Sequence, residues 1–274
     1  MSAKQILSII GVVAVLLAIA IGLALFGQKE GQAPVADKSP ILGGVATSTN
    51  AYEYVDDAPY YTVDAVYPRK TLLADLAADA KARTTMEQSI AADIAQFKTD
   101  GNFANLTAED IQTQGLGADR KYALGFTYDE YQGSSTVSYV FLVYEDTLGA
   151  HPNAFYKTFT FDMQGNSLEL GDLFLPAQAG TPNSSYLTVL SAPAYKDVVA
   201  QLTQKSGSAP DSGMLETVRM GTEPSPEALQ FYYISGVNLH LLFPPYQVAA
   251  YAAGTFDVSI PLASLSSILK SEYK

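Results

Sequence analysis

The sequence predicts an α+β fold: antiparallel sheets built from sequential hairpins, a long helix near the start of the folded part, and shorter helices further on. Three observations predict it. Period-2 apolar alternation bounded by turn residues recurs through the second half of the chain. A 3.6-residue apolar stripe runs from about Thr71 to Lys98. The composition, 48% hydrophobic and 16% charged, supplies an ordinary packed core. A separate apolar stretch at the N-terminus adds a single transmembrane helix ahead of that body.

Taken in order, residues 1–5 read as a short cytoplasmic tail. Residues 6–26 (Ile6 to Phe26) carry no charge. As a helix they would span roughly 31 Å, the thickness of a hydrocarbon core. The competing reading is a cleaved signal peptide cut after Ala24, but its apolar part usually has only about 7–15 residues. A retained anchor is therefore expected. Lys4 lies before the run and Lys29 and Lys38 after it, so charge alone hardly orients the helix. Residues 27–57, rich in Gly, Pro, Ala, Ser and Thr, read as a flexible linker.

Folding is expected to begin near Pro59, with a strand through Tyr61, Val63, Ala65 and Tyr67 ended by Pro68. The long helix follows, with a bend suggested at Arg83-Thr84-Thr85 and a stop at Asp100-Gly101. A short helical turn capped by Thr107 comes next. Arg120–Tyr131 and Thr136–Asp146 form a hairpin around Gln132-Gly133-Ser134, and Phe155–Met163 and Ser167–Leu170 a second around Gln164-Gly165-Asn166. Ser185 to Gln204 reads helical, with a break or restart at Pro193. Met214–Met220 predicts a short helix. Leu229–Ile234 and Val237–Phe243 predict a third hairpin, Thr255–Ile260 a last strand, and Leu262 to Lys270 a closing helix.

A net charge of −12 argues against nucleic acid and would favour encounter with a basic protein. Cysteine is absent, which excludes disulfides, thiolate metal sites and a cysteine nucleophile. No HExxH and no Gly-x-Ser-x-Gly occurs, so neither a metal centre nor a cofactor is expected.

Two blocks stand out. One runs Gly149-Ala150-His151-Pro152-Asn153, then Phe161-Asp162-Met163, then Leu168-Glu169-Leu170-Gly171-Asp172-Leu173-Phe174. The other runs Tyr246-Gln247-Val248 through Ala252-Ala253-Gly254 to Ile260-Pro261. In these blocks the chain resembles the extracytoplasmic domain of RsiV-type anti-sigma factors and the N-terminal, non-catalytic region of PdaC-type peptidoglycan deacetylases. The resemblance implies a PdaC-like domain over 58–147 and a C-terminal domain of unknown function over 148–274, lying outside the bacterial cell membrane. It also implies a lysozyme-like basic protein or a peptidoglycan fragment as partner. Leu148 and Ala250 depart from the residues usual at those positions. The first five residues are too few for a sigma-binding domain, and the shared region runs almost to Lys274, so neither relative's activity is expected whole.

His151 and His240 are the two histidines. His151, ahead of Pro152, reads as a turn residue or a ligand contact, and His240 as a strand residue facing away from the core. Carboxylate pairs such as Glu169/Asp172 and Glu145/Asp146 read as capping or solvated groups. Phe243-Pro244-Pro245 makes a proline-fixed corner, after which Tyr246 and Tyr251 form either a binding edge or packing anchors of a tight loop. The expected ligand-binding residues are His151, Asn153, Tyr246 and Tyr251, with no catalytic residue and no metal ligand. The function expected is a non-enzymatic, membrane-anchored binding or sensing module. A cell-wall hydrolase or deacetylase and a structural scaffold for envelope enzymes are the alternatives.

Overall fold

A computed structural model of the chain describes residues 42–48, 50–176 and 185–274. The apolar run at 6–26, expected to cross the membrane, and the first part of the expected linker lie outside the described residues. No helix among the described residues is long and apolar enough to cross a membrane.

The fold is α+β. Six strands form one sheet in the order β1 to β6: Val45–Ala46, Ala51–Asp57, Tyr61–Pro68, Tyr122–Gln132, Thr136–Asp146 and Asn153–Asp162. Between β3 and β4 run α1 (Leu76–Asp100) and the short α2 (Ala108–Gln114). After β6 come α3 (Tyr186–Ser206), α4 (Ser212–Gly221) and a three-stranded sheet of β7 (Tyr232–Ser235), β8 (Asn238–Phe243) and β9 (Phe256–Pro261).

Several expectations are corrected. The linker does not extend to Asp57, because β2 pairs along its whole length with β3. Tyr52 explains this, since it packs on Tyr67 beneath the sheet. The large sheet is mixed rather than antiparallel, with β3 and β4 parallel. Helix α1 carries the chain back along the sheet, so β4 enters in the same direction as β3. Residues 167–170 are not a hairpin strand. Only Ser167 bridges to Phe161, and the chain then turns through a 3-10 segment, Leu170–Leu173. Pro193 does not break α3, which continues to Ser206. Leu262 to Lys270 is not one helix but a 3-10 turn, Leu262–Leu265, followed by irregular chain. Strand β6, expected on the C-terminal side of a boundary at 147/148, is hydrogen-bonded to β5 in the first sheet.

Asp75 caps α1 by accepting from the Ala77 and Ala78 amides, which accounts for a start at Leu76 rather than Thr71. Ala82, Met86, Ile90 and Ile94 follow at intervals of four and lie buried against the inner face of the sheet. That face offers Val63, Ala65, Tyr67, Leu124, Phe126, Tyr139, Phe141 and Phe161. A second core forms where Leu190, Ala194, Val198 and Leu202 of α3 meet Leu239, Leu241, Phe243, Phe256, Val258 and Ile260 of the small sheet.

The two cores are joined through β7, which lies on the outer face of the large sheet. Its Tyr232 and Ile234 amides point away from β8 and would be unpaired at a free edge. Instead they donate to the Thr158 and Ser138 hydroxyls, at 3.3 and 3.1 Å. Val140, Tyr233 and Leu242 fill the seam. The described residues form one compact unit.

Candidate functional site

The first loop of the site leaves β5 at Asp146, whose carboxylate accepts from the Leu148 amide at 2.8 Å. Leu148 takes φ 62°, a left-handed conformation uncommon for leucine, and turns the chain toward His151-Pro152 and into β6. The second loop leaves β8 at Phe243 and turns at Pro244, whose carbonyl accepts from the Gln247 amide. Gln247 anchors this turn: its amide group donates to the carbonyls of Gly221 and Ala228 at 2.9 and 2.7 Å. Val248 and Ala249 are buried behind it. With those residues fixed inward, Tyr246 is held at φ 71° and 60% exposed.

The two loops meet through their side chains. The His151 and Tyr251 rings stack with centroids 4.4 Å apart, and the Tyr246 and Tyr251 rings lie at 5.4 Å. His151 Nε2 is 2.8 Å from the Tyr246 hydroxyl, and Nδ1 is 3.0 Å from the Pro152 carbonyl. A carbonyl only accepts, so Nδ1 carries the proton, and in the neutral ring Nε2 accepts from Tyr246. The same carbonyl accepts the Tyr251 hydroxyl at 3.3 Å. Both nitrogens of His151 are thus engaged in holding three aromatic rings at the surface.

Three of the four residues expected at the site come together. Asn153 begins β6 opposite Glu145, exposed, beside the cluster rather than within it. Tyr144, on the outer face of β5 and 39% exposed, was not among the expected residues. Burial raises its pKa first, with contributions from the charges of Asp146 and Tyr251. Its signal was the apolar run Val137–Tyr144, interrupted only by Ser138, which marks apolar positions on both faces of β5.

A second polar group lies on the face of the small sheet turned away from α3. His240 Nδ1 is 2.9 Å from one Asp257 oxygen, and the Tyr233 hydroxyl donates to the other at 2.7 Å. Tyr233 stacks on His240 at 4.4 Å and lies tilted against Tyr131 of β4 at 4.2 Å. Burial, then the hydrogen bond to Asp257, pushes the Tyr233 hydroxyl far above its ordinary range. This chain of rings joins the two sheets. Among the described residues, no group of three or more histidines and carboxylates is placed to hold a metal ion.

Residues 172–263 match DUF3298, a family of proteins of unknown function. That stretch contains Tyr246 and Tyr251 but neither His151 nor Asn153. Over 139 residues the chain is 32% identical to the peptidoglycan-N-acetylmuramic acid deacetylase PdaC of Bacillus subtilis strain 168. The match spans 50% of this chain and only 27% of the deacetylase. A solved DUF3298-family structure from Bacteroides fragilis aligns with a TM-score of 0.54 at 16% identity, over 81% of this chain and 93% of its own. Another, from Pseudomonas aeruginosa, aligns with a TM-score of 0.52 at 15% identity, over the same shares. At these identities the two structures establish the α+β fold alone.

Proposed function

We propose that this chain is a membrane-anchored, extracytoplasmic binding or sensing module of the bacterial cell envelope, with His151, Tyr246 and Tyr251 as its recognition surface. The observation that carries this reading is the exposed aromatic trio itself. Two loops 95 residues apart are each pinned from behind so that their rings meet in solvent. Tyrosine at such a place offers rigid contact area with a polar tip, at little cost in side-chain freedom. Both nitrogens of His151 are occupied within the cluster, which suits a positioning ring better than a general base.

The similarity to part of a peptidoglycan deacetylase supports a ligand found in the wall, and the RsiV-type resemblance of the two loops supports a lysozyme-like protein. Titrating the full-length chain with hen lysozyme and with muropeptides tests the reading. Saturable binding that weakens at least tenfold in Tyr251→Ala is expected. Failure of both ligands to bind would remove the support for it. The hydrolase or deacetylase alternative draws on the His240–Asp257–Tyr233 group. Turnover of peptidoglycan by the purified chain, lost in His240→Ala or His151→Ala, would favour that alternative.

A further inference from the structure

The outer face of the large sheet is covered by β7 along β5, β6 and the Tyr131 end of β4. Over the rest of that face, among the described residues, Val55, Leu142 and Tyr144 stand 60%, 43% and 39% exposed, with exposed Tyr251 close to Tyr144. Leu142 and Tyr144 adjoin the candidate recognition site, and Val55 lies in register with Tyr144 across Asp64 and Gly125, so apolar and acidic positions alternate over this face. The charges around it decide what it fits.

Outward positions on β2 to β5 hold Glu53, Asp57, Asp64, Asp129 and Asp146, and no lysine or arginine. Lys121 pairs with Asp57 at 2.6 Å, and on the other face of the sheet Lys98 of α1 is tied to Asp56 and Lys157 of β6 to Asp93. Glu53 and Asp64 lie on adjacent strands, and both burial and the Glu53 charge raise the Asp64 pKa. Asp129 and Asp257 likewise both act on Tyr131, where the small sheet meets the large one. Burial and the Glu53 charge disfavour ionising Asp64, yet the carboxyl group stands on the part of the face that β7 leaves bare. A partner bringing positive charge would relieve that repulsion while its apolar parts cover Val55, Leu142 and Tyr144. A neutral glycan would leave the carboxylates unmatched, and an anionic polymer would be repelled.

We propose that the bare outer face of β2–β5 seats a cationic polypeptide, with its lysine or arginine side chains on Glu53, Asp64 and Asp129. This rests on reading the adjoining His151–Tyr246–Tyr251 surface as a binding site, and it names the partner chemistry that site would share. The test is titration of the full-length chain with an alternating lysine–valine decapeptide, with decalysine and with a glutamate–valine decapeptide, at two salt concentrations.

The lysine–valine peptide should bind saturably, more tightly than decalysine and less tightly as salt rises, while the glutamate–valine peptide should not bind. Glu53→Gln with Asp64→Asn should weaken it at least tenfold. Glu109→Gln with Glu227→Gln, the same charge change at other exposed positions, should leave it within twofold. Leu142→Ser should weaken the lysine–valine peptide and not decalysine. Equal weakening by the two charge pairs would mean diffuse attraction to an acidic protein and would overturn the proposal, as would no binding of the lysine–valine peptide. Retained binding of lysozyme or muropeptide, lost in Tyr251→Ala but indifferent to the sheet-face changes, would overturn this inference and leave the aromatic site standing.

Discussion

Tyr246 occupies a backbone conformation that costs a side-chain-bearing residue about 1–2 kcal/mol. A packing anchor would offset that cost by burial, but this ring is 60% exposed. Tyr246→Gly is therefore expected to leave stability within about 1 kcal/mol of the parent, since relief of the left-handed strain offsets glycine's extra unfolded-state freedom. Ligand binding should fall with it. Chemical denaturation alongside titration separates this from a large destabilisation, the outcome for a packing anchor. Two carboxylates make a complementary pair. Asp64 has its pKa raised by burial and by Glu53, so folding disfavours its ionised form, and that penalty grows as pH rises through the raised value. Asp64→Asn should stabilise the chain at pH 7 and change little below about pH 3, where both states hold the protonated acid. Asp56 has its pKa lowered, chiefly by the hydrogen bond from Lys98. Its contribution is present above about pH 4 and is lost as pH falls through the lowered value. Asp56→Asn should cost no more than about 1 kcal/mol at neutral pH, because the pair is partly exposed. Thermal melts from pH 2 to 8 should show the two variants moving in opposite directions.

The loop that carries Tyr246 and Tyr251 owes its shape to Gln247 more than to its two prolines. Gln247→Ala leaves the Gly221 and Ala228 carbonyls without that donor, at a cost of about 1–3 kcal/mol. Faster amide exchange through 244–254 is expected, with little change in β5 or β6. This anchor was hard to read from sequence, since nothing in Tyr246-Gln247-Val248 says that its glutamine reaches α4. Elements with a clean period were legible. The α1 stripe, the β4–β5 hairpin and the alternation of β9 all follow from their apolar spacing. The direction of β4 was not, because it depends on where α1 leaves the chain rather than on any residue of the strand. Strand β2 was obscured by the glycine- and serine-rich chain before it and by its own acids, Glu53, Asp56 and Asp57. Both motif blocks stood out in sequence, but their meeting through His151 and Tyr246 is a tertiary contact that no local pattern announces.

Two hydrophobic cores share one molecule, held by β7 against the hydroxyls of Ser138 and Thr158 and by the ring chain from Tyr131 to His240. A seam of this kind couples the two cores. Phe141→Ala in the first core and Leu190→Ala in the second should each cost about 2–5 kcal/mol and lower one common transition in calorimetry. Two separated transitions would show that the cores unfold independently and that the seam is weak. The proposed recognition surface spans this seam, because His151 precedes β6 of the large sheet while Tyr246 and Tyr251 follow β8 of the small one. Amide exchange of the full-length chain with and without lysozyme or muropeptide therefore tests the central claim most directly. Ligand should slow exchange in residues 148–153 and 244–254 together. Slowing confined to α3 and α4, or slowing of neither loop at saturating ligand, would contradict the account.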